Sequence, residues 1–247
     1  SGTTSFISGA PVNSLAIPTT IECEVIFPKK APSLSPKSYS YNNLTSSIFG
    51  QHTAVPTVAI DNLLWATNDV SALQVYAVRP NTNSKNAYFI LTGSNISPLT
   101  TDVFDNVYDN EKWNFAVRFR PENEMLGDLV FSGSSDDYKI EFYGVSQRFG
   151  TVTNEFLLTT NNLTNAFGRE FTNAPKRLYA GAHRTNFTGT LLQPTDVKVS
   201  NLRYWFSYLD NDVIKDHATN MYGYGPESPY KNQSYNLLAL SSSYIPY

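Results

Sequence analysis

The chain of 247 residues has one cysteine, Cys23, so an internal disulfide is excluded. Cys23 alternates with Ile21, Val25 and Phe27 in "TTIECEVIFP", a setting that predicts a buried, inert thiol rather than a nucleophile. A basic cluster is also missing: Lys and Arg total 18 against 21 Asp and Glu, for a net charge of −3. The electrostatic footprint of a nucleic-acid binder is therefore absent. No apolar run approaches the roughly 18 residues that a spanning helix needs, so membrane insertion is not expected. The opening "SGTTSFISGAPVNSL" has neither the basic start nor the apolar centre of a signal peptide, and reads as the start of an excised or internal domain.

What is present favours a folded β protein. Hydrophobic residues make up 41% and aromatics 14%, enough to fill a sizeable core. Asn, Ser and Thr are abundant and suit solvated turns, because their side chains compete for backbone hydrogen bonds. Period-two alternation is the main signal. "KWNFAVRFRP" sets Trp113, Phe115, Val117 and Phe119 on one face and Asn114, Arg118 and Arg120 on the other. "TTIECEVIFP" places Glu22 and Glu24 opposite its apolar set, on what the pattern predicts to be a solvated face, paired across strands with Arg118 or Arg120. "ALQVYAVRP", "NAYFILTGS", "DYKIEFYGV", "NEFLLTTNN" and "KRLYAGAH" follow the same logic. Such strands, separated by turns and not by helices, predict an all-β, two-sheet antiparallel sandwich. Residues 1–247 read as one domain, with 225–247 a C-terminal extension or linker and Pro28 to Asn43 a long surface loop.

One stretch breaks the pattern. The strand from Val197 to Phe206 runs into "YLDNDVIKDHA", where Asp210 suits an N-cap and Asp212 the first turn of a helix. Leu209, Val213, Ile214 and Ala218 then share a helical face. A helix this short needs packing to persist, so the segment is expected to plug the sandwich.

The motif Leu209-Asp210-x-x-x-Ile214 after a strand resembles the last strand and short helix of laminin-G-like, concanavalin A-like jelly rolls. "RLYAGAHRTNFTGTLLQPTDVKVSNLRYW", "KWNFAVRF" and "TIECEVIFP" resemble further segments of that family, in family order from about Thr19 to Tyr224. "SSIFGQH", "NAYFILT", "VYDNEKWNFAVR", "PKRLYAGAHRTNFTG" and "YWFSYLDNDVIKDHATNMYGYG" are similar to laminin-G-like modules in large virion proteins of tailed, marine bacteriophages. The resemblance implies a module on the virion surface, in a fibre, tail or decoration. Its implied partners are other virion proteins or copies of itself.

Sites for chemistry are sparse. The carboxylates Glu22 and Glu24 lie two apart on a strand, about 7 Å by strand rise, but the E-x-D-x-x-E and E-x-D-x-E patterns of glucanases in this superfamily have no match. No G-x-S-x-G and no phosphate-cradling glycine loop is present. The three histidines are His52, His183 and His217. His52 in "FGQH" and His183 in "AGAH" are candidates to meet at adjacent strand ends, in a hydrogen-bonded structural role. Asp102, Asp105 and Asp109, with Asn106 and Asn110, are candidate calcium ligands, since laminin-G-like domains often bind calcium at loop ends. Tyr39, Tyr41, Tyr222, Tyr224 and Tyr230 sit in loop-like segments and are candidates for a glycan or protein interface. The expected function is a non-enzymatic virion module for protein packing, with no cofactor beyond calcium. The alternative is a carbohydrate-binding, lectin-like adhesin for a host-surface glycan, with glycoside hydrolysis a distant third.

Overall fold

The computed structural model of the chain describes residues 18–29, 43–54, 69–122, 137–160, 163–164, 166–168, 171, 176–185, 189–205 and 207–220. In chain order the strands are β1 (Thr19–Phe27), β2 (Thr45–Ala54), β3 (Asp69–Val78), β4 (Tyr88–Gly93), β5 (Ile96–Thr100), β6 (Glu111–Pro121), β7 (Tyr138–Arg148), β8 (Thr151–Thr159), β9 (Lys176–Ala180), β10 (His183–Arg184), β11 (Leu191–Gln193) and β12 (Lys198–Trp205). Helix α1 (Asn211–Thr219) follows. Most of the loop Pro28 to Asn43 and all of the tail 225–247 lie outside the described residues.

Two five-stranded sheets face each other, one ordered β12-β1-β6-β7-β8 and the other β5-β4-β3-β2-β9, with β10 and β11 forming a separate ribbon. Every strand pairing is antiparallel. This is an all-β, two-sheet antiparallel sandwich. Alternation has sorted the side chains as its period predicts. Trp113, Phe115, Val117 and Phe119 of β6 are buried together in one core with Cys23, Val25 and Phe27 of β1. Val75 of β3 and Phe89 and Leu91 of β4 close that core from the opposite sheet. Aromatic rings fill its centre: Phe89 lies edge-on at 4.8 Å from both Trp113 and Phe115, whose own rings are stacked at 7°. The Cys23 thiol sits inside this layer, and burial, with Glu22 and Glu24 nearby, pushes its pKa far up.

The opposite face of the β1–β6–β7 sheet corrects the sequence reading. Glu22 and Glu24 do not meet solvent: Glu22 is 2% exposed and Glu24 is also buried. Alternation reports that two faces differ in polarity, but it is blind to what lies over the polar one. Here α1 and the chain leading into it lie over that face. Leu209, Ile214 and Ala218 pack with Ala116, Tyr143 and Val145 in a second, smaller apolar cluster. Around it the sheet's polar side chains take up backbone groups of the covering segment. Arg118 Nη1 donates to Leu209 O at 3.0 Å, and Asn114 Nδ2 to Ile214 O at 3.2 Å. Lys112 Nζ donates to Ala218 O at 3.1 Å, and Gln147 Nε2 to Lys215 O at 2.9 Å.

The helix itself begins as its sequence predicts. Asp210 accepts from the Val213 backbone N–H, with Asp212 in the first turn and His217 in the last. Among the described residues no helix is long and apolar enough to cross a membrane.

A ranking of effects follows from this packing. Removing the cap by Asp210→Ala is expected to cost about 1 kcal/mol. Truncating the fully buried Ile214 to Ala is expected to cost about 2–5 kcal/mol. Urea denaturation of the two variants gives the order directly. Equal losses would mean that the cap, not the apolar face, holds α1 in place.

Candidate functional site

The polar layer beneath α1 is rich in ionisable groups, and its geometry is closed. Glu22 Oε2 meets His217 Nδ1 at 2.8 Å and accepts from Trp205 Nε1 at 3.1 Å, while its Oε1 accepts from Asn114 Nδ2 at 2.7 Å. Glu24 pairs with Lys112 at 2.8 Å and accepts from Ser200 Oγ at 3.0 Å. The expected pairing of these carboxylates with Arg118 and Arg120 does not form. Both arginines go to Glu141 on the other side of β6, each at 3.1 Å, and the Tyr208 hydroxyl donates to the same carboxylate at 2.9 Å. The register explains this: Glu22 stands opposite Ala116 and Glu24 opposite Asn114, whereas Arg118 stands opposite Glu141. Each of these carboxylates is taken up by donors from within the protein. This layer positions a helix.

The outer face of the other sheet carries a second polar group of a different kind. His52 of β2 and His183 of β10 meet as their contexts suggest, Nε2 to Nε2 at 2.9 Å, and both are buried. Pairing of β2 with β3 brings Gln74 and Tyr76 onto the same face. The Gln74 amide nitrogen lies 3.4 Å from His183 Nε2, and the Tyr76 hydroxyl lies 3.4 Å from His183 Nδ1. The Tyr76 hydroxyl also donates to Gln74 Oε1. Burial holds its pKa at about 12, so it is a neutral donor at ordinary pH.

Tyr179 of β9 closes the group from the edge. Its ring stacks on His183 at 5.0 Å and 8°, and meets His52 edge-on at 5.5 Å. That placement depends on Gly50, where an added Cβ would come within 2.5 Å of the Tyr179 hydroxyl. The sequence could suggest the histidine pair. Gln74, Tyr76 and Tyr179 are ordinary strand residues until strand pairing gathers them.

The acidic loop before β6 serves first as a turn. Asp109 pairs with Lys29 at 3.0 Å and Lys85 at 3.7 Å, and the Lys29 hydrogen bond, followed by the charge of both lysines, lowers its pKa. Asp105 accepts from Asn86 Nδ2, and Asn106 and Asn110 adopt left-handed backbone, at φ 56° and 63°. Asp102 is exposed. Among the described residues no group of three or more His, Cys, Asp or Glu side chains gathers as a metal-ligand set. Tyr39, Tyr41, Tyr222, Tyr224 and Tyr230 lie outside the described residues.

Sequence reading also missed Phe149. Phe149 stands at the tip of the β7–β8 hairpin, where Arg148 pairs with Thr151 and Phe149-Gly150 forms the turn. Both turn residues have positive φ, 54° and 77°, the conformation of a tight primed hairpin turn. Asn-Gly is the usual sequence there; Phe carries a steric penalty of about 1–2 kcal/mol in left-handed backbone. Its side chain is 99% exposed. The signal available was "RFGT" between two alternating runs.

No protein-family model matches the chain, and no curated protein matches it in sequence. Among solved structures the fold is similar to the native heptameric SAP-like pentraxin from Limulus polyphemus, at a TM-score of 0.42 and 10% identity, over 82% of this chain and 72% of that one.

The closed layer under α1 makes a direct prediction. Glu22→Gln leaves His217 beside a neutral amide and is expected to cost about 2–4 kcal/mol of stability, measured by chemical denaturation. Polysaccharide turnover by the protein, abolished by this substitution, would instead place Glu22 in a hydrolytic centre.

Proposed function

We propose that the protein is a non-enzymatic interaction module that packs against other proteins of an extracellular particle. The observation that carries this reading is Phe149, a fully exposed aromatic ring held in strained backbone at a hairpin tip. Strain and exposure together are costly to keep in a free monomer and are removed when a partner buries the ring. The apolar surface continues along β8, where Val152 and Leu157 are exposed. β8 is the last strand of its sheet, so its outer backbone groups face no described strand. An edge strand with an aromatic tip fits a protein partner better than a catalytic cleft.

The nature of the particle rests on the segment resemblance. That likeness supports a laminin-G-like module of a tailed-phage virion, facing outward, with other virion proteins or copies of itself as partners. A lectin-like role for the same fold is the second reading, and the flat face of Phe149 favours it to the extent that sugar rings stack on exposed aromatics. The commitment of Glu22, Glu24 and Glu141 to internal donors supports a non-catalytic role in either case.

Phe149→Asn separates these readings, because Asn suits left-handed backbone and removes the ring. Stability should rise by about 1 kcal/mol, so loss of folding does not confuse the result. Association with the particle's proteins, or self-association followed by sedimentation, should weaken by about tenfold or more, the equivalent of losing one buried aromatic side chain. Unchanged association would overturn the packing role. If association is unchanged while binding to a glycan array falls, the lectin-like reading takes its place.

A further inference from the structure

The histidine pair on the outer sheet face joins β2 to the β10–β11 ribbon. We propose that His52, His183 and Gln74 form a binding site for a divalent late transition ion, Zn2+ or its imidazole-seeking neighbours Ni2+ and Cu2+. The ligands are Nε2 of each histidine and the amide oxygen of Gln74, with the fourth position open to water.

The hydrogen-bond chain around His183 sets up the site. The Tyr76 hydroxyl donates to Gln74, so its oxygen is the acceptor for the His183 Nδ1–H, 3.4 Å away. With its proton on Nδ1, the neutral His183 ring presents a bare lone pair at Nε2. That lone pair faces His52 Nε2 at 2.9 Å and the Gln74 amide at 3.4 Å. An oxygen that orients the far nitrogen of a histidine is the usual outer support of a metal ligand.

The distances agree with an ion. Two imidazole nitrogens on one tetrahedral Zn2+, each at 2.0–2.1 Å, sit about 3.3 Å apart. The observed pair has only to spread by a few tenths of an ångström. A half-turn of the Gln74 amide exchanges its nitrogen for its oxygen, and the Tyr76 oxygen can still accept from both Gln74 and His183. The ion takes the place of the hydrogen bond between the two Nε2 atoms: the His52 proton moves from Nε2 to Nδ1, and both rings bind as neutral imidazoles with no net release of a proton.

The surroundings favour a fixed ion over a passing one. Gln74, His52 and His183 are all buried, and the Tyr179 ring stacked on His183 holds it against rotation. The ligands come from β2, β3 and β10, so an ion joins the β10–β11 ribbon to the large sheet. The third donor is an amide, a group outside the His, Cys, Asp and Glu set of ordinary zinc motifs.

The test is titration of the metal-free protein with ZnCl2, followed by calorimetry and thermal unfolding, with CoCl2 as a spectroscopic probe. One ion per chain, a raised unfolding midpoint and a tetrahedral Co2+ absorption band are expected. His52→Ala and His183→Ala should each abolish stoichiometric binding. Tyr76→Phe should weaken it by roughly 10- to 100-fold, as loss of an outer-shell partner does. Because the alanine variants each remove a buried side chain, Gln74→Glu provides an independent arm: a carboxylate in the third position should tighten binding. Wild-type protein that takes up no ion, alanine variants that bind as well as wild type, or a Gln74→Glu variant with unchanged affinity would each overturn the proposal. Phe149→Asn should leave metal binding untouched, so the fate of this site and that of the packing surface are read separately.

Discussion

Arg118 is 0% exposed, and the way its charge is answered organises one whole face of the sandwich. A buried guanidinium without partners would be very costly. Here Glu141 forms an ion pair with the guanidinium at 3.1 Å, Asn211 and the Leu209 carbonyl accept from Nη1, and the rings of Tyr143 and Tyr208 lie 5.2 and 5.0 Å from the guanidinium carbon. Three of these partners, Tyr208, Leu209 and Asn211, belong to the segment that enters α1. The arginine therefore specifies where the helix starts, and the helix in turn supplies the cover that keeps the arginine dry. Glu22 and His217 repeat the arrangement at the other end of α1. The apolar contacts of Ile214 and Ala218 supply cohesion between these two polar fixings.

The two faces of the β1–β6–β7 sheet thus use different physics. The inner face is a packed aromatic layer whose burial is non-directional. The outer face is a polar network in which each member needs a partner at the right angle. Such a network rejects alternative seatings of the helix, because any shift would leave a charge unanswered.

How legible was this in the residues alone? The strands and the core were plain, because Trp113, Phe115, Val117 and Phe119 keep strict period two and that period has one structural meaning. The helix was equally plain, since Asp210 as cap and Leu209, Ile214 and Ala218 as an apolar stripe agree. The status of Glu22 and Glu24 was not. A polar stripe that meets water and one that meets a covering helix have the same alternation, and the partners Asn114, Trp205 and His217 lie far away in sequence. The histidine pair was visible through its matching contexts. Gln74 and Tyr76 were not, because their role arises only from the register of β3 against β2. Phe149 went unread for the opposite reason: its meaning lies in a backbone angle.

The position of β1 has a consequence for how the chain comes to be folded. β1 is near the start of the chain, yet it lies between β6 and β12, and its Thr20 hydroxyl donates to the carbonyl of Ser207, 187 positions away. During synthesis one edge of β1 stays open until β12 and α1 have left the ribosome. That edge belongs to a strand whose residues are almost all buried in the finished molecule. Long-range pairing of this kind is slow, and an open apolar edge recruits other chains. β12 and α1 are therefore the lid on β1, and nascent or truncated chains that lack them carry an exposed seam that invites aggregation.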